Sequence, residues 1–177
     1  MECAVPENTE LLDRLKRKLF QLGASYDRGF GASDSARDQA KNLIEQLEQL
    51  NQETHASRGI QHGNNSPLAG NWRMIWTTAV DVLSLNASPI FTTGAIYQVF
   101  DPPIVTNIID FLPKAQALFP TSLVPPSLLR AKVTTRASGR DNAPNRVGLD
   151  FESVQVQPVE FLGLPAEHWP PVAFDLP

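Results

Sequence analysis

Any chemistry this chain performs must come from a small set of side chains. Three aspartates, Asp81, Asp101 and Asp110, are spread through its centre, and paired carboxylates can act as general acid and base. Each reads as standing beside a turn or a proline, where aspartate is an ordinary local hydrogen bonder. His55, His62 and His168 fall in loop-like stretches and lack the spacing of metal ligands. The chain has no G-x-S-x-G elbow, no phosphate-binding P-loop and no G-x-G-x-x-G turn. "GFGAS" lies between two helical patterns instead of after a strand, so it cannot cradle a dinucleotide. Arg73, set between Trp72 and Trp76 but on the opposite strand face, reads as an exposed or strand-paired cation. The sequence therefore predicts no catalytic residue, no metal site and no cofactor, and a protein that is not an enzyme.

Charge narrows the remaining classes. With 15 basic and 19 acidic residues the net charge is -4, so the concentrated positive field that nucleic acid requires is missing. The single cysteine, Cys3, excludes an intramolecular disulfide and leaves stability to packing. Asn64 and Asn86 head glycosylation sequons, which matter only on a secreted chain. The opening "MECAVPENTE" lacks the basic and apolar segments of a secretory signal, so a targeting peptide is expected to be absent or already removed.

The elements that would position a site fall into two blocks. Leu11, Leu12, Leu15, Leu19 and Leu22 form one helical stripe, capped at Asn8 or Thr9 and ended by Gly23. A second start signal spans Ser33 to Ser35, with Ser35 and Asp38 at capping-box spacing. Ala36, Ala40, Leu43, Ile44, Leu47 and Leu50 then carry a second apolar face. A helical pair over 9–51 is expected, with 52–67 as a connecting loop.

From residue 68 the period changes to two. Trp72, Met74 and Trp76 alternate with Asn71, Arg73 and Ile75, and β-rich runs follow at 95–100, 104–111, 128–137 and 146–156. Arg130, Lys132 and Arg136 share one face of their run while Ala131, Val133 and Thr135 share the other. Asp150 and Glu152 likewise oppose Leu149 and Phe151, so pairing these two runs would set opposite charges across one wet face. The dry face must be covered, by barrel closure or by a helix. Two connections, 81–93 and 112–127, are rich in Leu, Ile, Phe and Pro, and Lys114 is the only charge in the second. Ile90, Phe91, Leu118, Phe119 and Leu123 are therefore expected to form a lid or a membrane-facing loop.

Several segments carry a family resemblance: "YDRGFGAS", "AKNLIEQLEQLN", "LAGNWRMIWTT" and "GAIYQVFD", in that order over most of residues 10–110. They resemble the plastid lipid-associated proteins, or plastid fibrillins, and Gly70-x-Trp72 resembles the opening of lipocalin-like barrels. The resemblance implies an α+β fold, with a short N-terminal helical pair followed by an antiparallel lipocalin-like β-barrel over 68–177. It implies a plastid setting on thylakoids or plastoglobules, or a cyanobacterial one, and a binder of lipids or isoprenoids. It also implies an alternative, a structural coat of lipid bodies or a scaffold for a prenyl-lipid biosynthetic enzyme. The family's Tyr-Gln pair falls on Tyr97 and Gln98. The chain stops at "AFDLP" before the last strand typical of the family, which leaves either a shortened chain or a barrel open along one edge.

Strand parity then assigns an apolar ligand cup to Trp72, Met74, Trp76, Tyr97, Val99, Val133, Leu149 and Phe151. Trp72 and Trp76 would share that face about 13 Å apart at ~3.3 Å per residue, Trp72 as floor and Trp76 as wall.

Overall fold

The leucine stripe of the first segment does form a helix, α1 (Glu7–Ser25), and the second segment forms α2 (Asp34–Gln49). This is a computed structural model that describes residues 7–53, 55–60, 66–139 and 146–175. Ser33 caps α2, its Oγ accepting from the Ala36 amide at 3.3 Å, so the cap lies two residues before Ser35. Leu15, Leu19 and Leu22 of α1 meet Ala40 and Leu43 of α2 in one buried cluster. Cys3, His62 and Asn64 lie outside the described residues.

The turn between the helices is set by backbone conformation. Asp27, Arg28 and Gly29 have φ of 44, 59 and 104°, three successive residues on the left-handed side, where only glycine sits without steric cost. The Arg28 guanidinium closes on the Asp27 carboxylate at 2.7 Å and lies over the Phe30 ring. The Arg28 carbonyl accepts from the Thr77 amide at 2.9 Å, which draws a later piece of chain onto the helices. Ile75 and Trp76 accordingly pack on the helical core. Two compact units result, Met1–Glu53 with Ile75–Ser84, and Thr54–Met74 with Leu85–Pro177. The division expected from the sequence, 9–51 against 68–177, differs in that Ile75–Ser84 belongs with the helices and includes α3 (Val80–Ser84).

The second unit is an antiparallel sheet of seven strands: β1 (Gly70–Arg73), β2 (Phe91–Asp101), β3 (Ile104–Pro113), β4 (Leu128–Gly139), β5 (Val147–Phe161), β6 (Leu164–Pro165) and β7 (Val172–Asp175). The order is β1-β2-β3-β4-β5, and both β6 and β7 pair with β5. A short helix, α4 (Ala115–Leu118), links β3 to β4. Register places Trp72, Phe100, Val105, Val133, Thr135, Leu149 and Phe151 on one face. Past an irregularity between Thr134 and Thr135, Val154 and Val156 of β5 and Phe174 and Val172 of β7 continue that face. The other face is polar: Arg130, Lys132 and Arg136 stand there beside Asp110, Gln155 and Asp150.

Among the described residues, the dry face is filled at one end. Ile60, Phe100, Val105 and Ala137 form a buried cluster there, with Leu68 and Val147 packed against it. Thr135 is buried with them and donates its hydroxyl to the Val105 carbonyl at 3.1 Å, so no polar group is stranded at this position. The fold is thus α+β, with an antiparallel lipocalin-like sheet curled into an incomplete barrel.

Candidate functional site

The curl is visible in a cleft on the dry face. Leu68, Trp72, Gln98, Phe100, Val147 and Leu149 line a space of about 270 Å³. Trp72 belongs to β1 and Leu149 to β5, strands with three others between them in the sheet, so the sheet bends towards this face. The Trp72 indole Nε1 donates to the Leu68 carbonyl at 2.8 Å, which fixes the ring although it remains 50% exposed. Gly70 enters β1 at φ 136°, a conformation glycine adopts freely.

Among the described residues lining the cleft, Gln98 is the one with an amide side chain. It stands opposite Trp72 on β1 and opposite Asn107 on β3, and its Nε2 donates to Asn107 Oδ1 at 2.8 Å. Away from the cleft the dry face stays open: Phe151 and Phe174 are each 56% exposed, and Val172 is exposed beside them.

The eight residues expected to form the cup divide by location. Trp72, Val133, Leu149 and Phe151 share the dry face. Tyr97 and Val99 point to the opposite face, because Trp72 is in register with Gln98; Ile96, Gln98 and Phe100 take the inward positions of β2. Arg73 accompanies Tyr97 there, its guanidinium 6.0 Å from the ring centroid. Met74 makes the last ladder bond, from its amide to the Ile96 carbonyl at 2.9 Å, just beyond β1. Trp76 is not a barrel wall: the chain has left the sheet by then, and the indole packs on the helical pair. The two tryptophans that look like one strand face belong to different units.

The lid residues collect at the end of the sheet opposite Ile60. Ile90 precedes β2, Phe91 begins it, Leu118 ends α4 and Phe119 follows. The Lys114 amide donates to the Ile90 carbonyl at 2.8 Å, and Gln116 Nε2 to the Ser127 carbonyl at 2.8 Å, so these loops are tied to one another. Phe91 is half-buried, whereas Leu118 at 75%, Leu123 at 71%, Ile90 and Phe119 are exposed. The β5–β6 turn and the start of β6 add the exposed Leu162 and Leu164, held to the same loops by Gly163 N–H to the Pro126 carbonyl and Leu162 N–H to Ser127 Oγ. The sequence reading missed those two because "FLGLP" lies beyond the segments that stood out as charge-poor.

Asp110 also differs from expectation. It is no turn residue: it sits within β3, 6% exposed, and receives Arg130 Nε at 2.7 Å and Nη2 at 3.0 Å. That hydrogen bonding raises the Arg130 pKa above its ordinary value, partly offset by burial. Arg136 pairs with Glu152 at 2.7 Å in a more exposed setting. Both pairs lie on the polar face, away from the cleft. Asp81 and Asp101 are exposed, and His168 lies on the surface against Trp169. Among the described residues no group of His, Cys, Asp and Glu side chains could hold a metal ion, and no helix is long and apolar enough to cross a membrane.

The chain matches the family model PAP_fibrillin over residues 13–168. It is 28% identical over 167 residues to a probable plastid-lipid-associated protein 3, chloroplastic, of Oryza sativa subsp. japonica, a match that takes in 88% of this chain and 39% of that protein. It is 30% identical over 151 residues to plastid lipid-associated protein 1, chloroplastic, of Brassica campestris, covering 82% of this chain and 41% of the relative. The chain thus spans about two fifths of the length of the curated relatives it matches. No solved structure matches it significantly. With the model match running through the helical pair and on through β5, the chain belongs to the PAP_fibrillin family of plastid lipid-associated proteins.

Proposed function

We propose that the protein binds lipid without catalysis, holding part of a lipid molecule on the dry face of its open barrel while the apolar rim meets a lipid surface. The observation that carries this reading is the dry face itself: plugged at the Ile60 end, open along Phe151 and Phe174, and rimmed by exposed Leu118 and Leu123 at the far end. Soluble surfaces rarely leave a contiguous apolar patch without a partner. A cleft of about 270 Å³ lies near the lower end of the ~300–1,000 Å³ usual for small-molecule sites. It suits a head group or a short stretch of chain, with the remaining tail lying along the exposed valine and phenylalanine side chains. The names of the two relatives support a plastid setting, and thylakoid membranes or plastoglobules are the lipid surfaces this reading assigns to the rim.

Native mass spectrometry of protein purified from plastid-containing tissue tests the reading. Co-purified lipid, lost when Trp72 is replaced by alanine, is the expected result. A lipid-free protein that also fails to take up lipid from vesicles would end it. The coat reading, in which the rim alone matters, is favoured by the exposure of Leu118, Leu123 and Ile90. It predicts vesicle binding that survives the Trp72 change.

A further inference from the structure

The dry face carries one polar feature that the packing does not need. Gln98 and Asn107 are neighbours across β2 and β3, surrounded on that face by Trp72, Phe100, Val105 and Val133. They bond to each other through one amide N–H and one amide oxygen. An amide has two donors and an acceptor oxygen with two lone pairs, so the pair keeps unused capacity of both kinds. Gln98 Oε1 and Asn107 Nδ2 have no partner among the described residues. Exchanging the orientation of both amides leaves the same balance, one acceptor and one donor. A dry sheet built only for packing would place apolar side chains here, because each unmet polar group costs free energy once a ligand covers it.

Among the described residues, no charged side chain lines the same place. None of the six residues lining the cleft is ionisable. The cations of the described strands, Arg73, Arg130, Lys132 and Arg136, stand on the opposite face, and Arg130 and Arg136 are held by Asp110 and Glu152. A carboxylate or phosphate brought into the cleft would lose its water and gain no counter-ion from the described lining.

From this we infer that Gln98, which lines the cleft, forms its head-group subsite together with the Asn107 amide bonded to it, and that this subsite selects uncharged lipids bearing a hydroxyl or a carbonyl over anionic lipids of the same chain. A ligand hydroxyl donates to the free amide oxygen, and a ligand carbonyl accepts from the free amide N–H. Trp72 and Leu149 cover the first part of the tail. The assignment rests on the lipid-binding reading above and adds to it a chemical class of ligand.

Displacement of bound Nile red by oleyl alcohol, methyl oleate and oleate at pH 8 separates the two claims. All three carry the same tail. The wild-type chain is expected to prefer oleyl alcohol and methyl oleate to oleate by about tenfold or more, the worth of one or two hydrogen bonds and a desolvated charge. Gln98→Met and Asn107→Leu each abolish that preference, whereas Trp72→Ala weakens all three ligands together. Gln98→Lys supplies the missing cation and reverses the order in favour of oleate, a gain that a misfolded variant cannot mimic. If no ligand displaces the dye and no dye binds, the lipid-binding reading itself fails. If all three bind alike in the wild type, or the preference survives both Gln98→Met and Asn107→Leu, lipid binding stands and the head-group subsite is overturned.

Discussion

Trp72 and Leu149 line the same cleft although β2, β3 and β4 lie between their strands. That proximity requires the twist and coil of the sheet to bring its first and fifth strands towards each other on the dry side. The space between them is then neither packed core nor open surface, and it is where an apolar guest gains most.

Replacing Trp72 by alanine should therefore affect binding more than folding. The indole is 50% exposed, so truncation removes about half the burial of a core tryptophan, and unfolding free energy should fall by roughly 1–2 kcal/mol. A ligand that covers the exposed half buries about 100 Å² of ring, worth ~2.5 kcal/mol at ~25 cal/mol per Å². Urea denaturation followed beside Nile red binding reads both. A loss of affinity below threefold would remove Trp72 from the site.

Two ion pairs of the polar face should separate sharply in energy. Asp110 is 6% exposed and takes two hydrogen bonds from Arg130, while Arg136 and Glu152 keep side-chain exposures of 55% and 36%. Asp110→Ala leaves a guanidinium without its partner and is expected to cost roughly 2–4 kcal/mol, somewhat under the ~3–5 kcal/mol of a fully buried pair because Arg130 retains 30% exposure. Glu152→Gln should cost less than about 1 kcal/mol. Equal midpoints for the two variants in urea would show that Asp110 is not a structural anchor.

Much of this arrangement is legible in the sequence, and the exceptions share a cause. The leucine stripes specify α1 and α2, and alternation correctly places Val133, Leu149 and Phe151 on one face. It misplaces β2, where "GAIYQVF" offers apolar side chains at both parities: Tyr97 and Val99 look more suited to a dry face than Gln98 does. Periodicity cannot choose when both faces are partly covered, and the irregularity between Thr93 and Ile96 resets the count from the strand's start. Trp76 reads as a strand residue because alternation continues in the letters after the ladder has ended. The usable signal lay elsewhere, in Gly23 and Gly29, two glycines whose positions admit the backbone of 75–77.

Those glycines give a direct test of the helical unit. A Cβ on Gly23 would overlap the Ile75 carbonyl oxygen, and one on Gly29 would overlap that of Thr77. Gly29 also has φ 104°, which an alanine adopts only under strain. Gly29→Ala is expected to destabilise by about 2 kcal/mol or more and to loosen the segment that seats Trp76 on Leu15 and its neighbours. In a variant with Trp72 and Trp169 changed to phenylalanine, emission then reports Trp76 alone and should shift to the red. Unchanged emission and an unchanged unfolding midpoint would show that the close approach is not required.

The rim supplies the last test. Phe119 and Leu123 are 52% and 71% exposed, and Lys114 is the only charged residue of 112–127, so inserting these loops into a lipid surface strands no carboxylate. Full burial of such a side chain is worth ~1.5–3 kcal/mol, and the exposed fractions leave ~1–2 kcal/mol each to be gained on contact. Phe119→Ser with Leu123→Ser should thus reduce partition onto phosphatidylcholine vesicles by tens- to hundreds-fold, measured by flotation. Phe20, 54% exposed on α1, serves as the control, and Phe20→Ser should leave flotation unchanged. Both side chains of the double variant already face solvent, so the unfolding midpoint should stay within about 1 kcal/mol of wild type. Equal losses from the rim and from Phe20 would reduce the effect to general surface hydrophobicity, and flotation indifferent to the rim would move the membrane contact elsewhere.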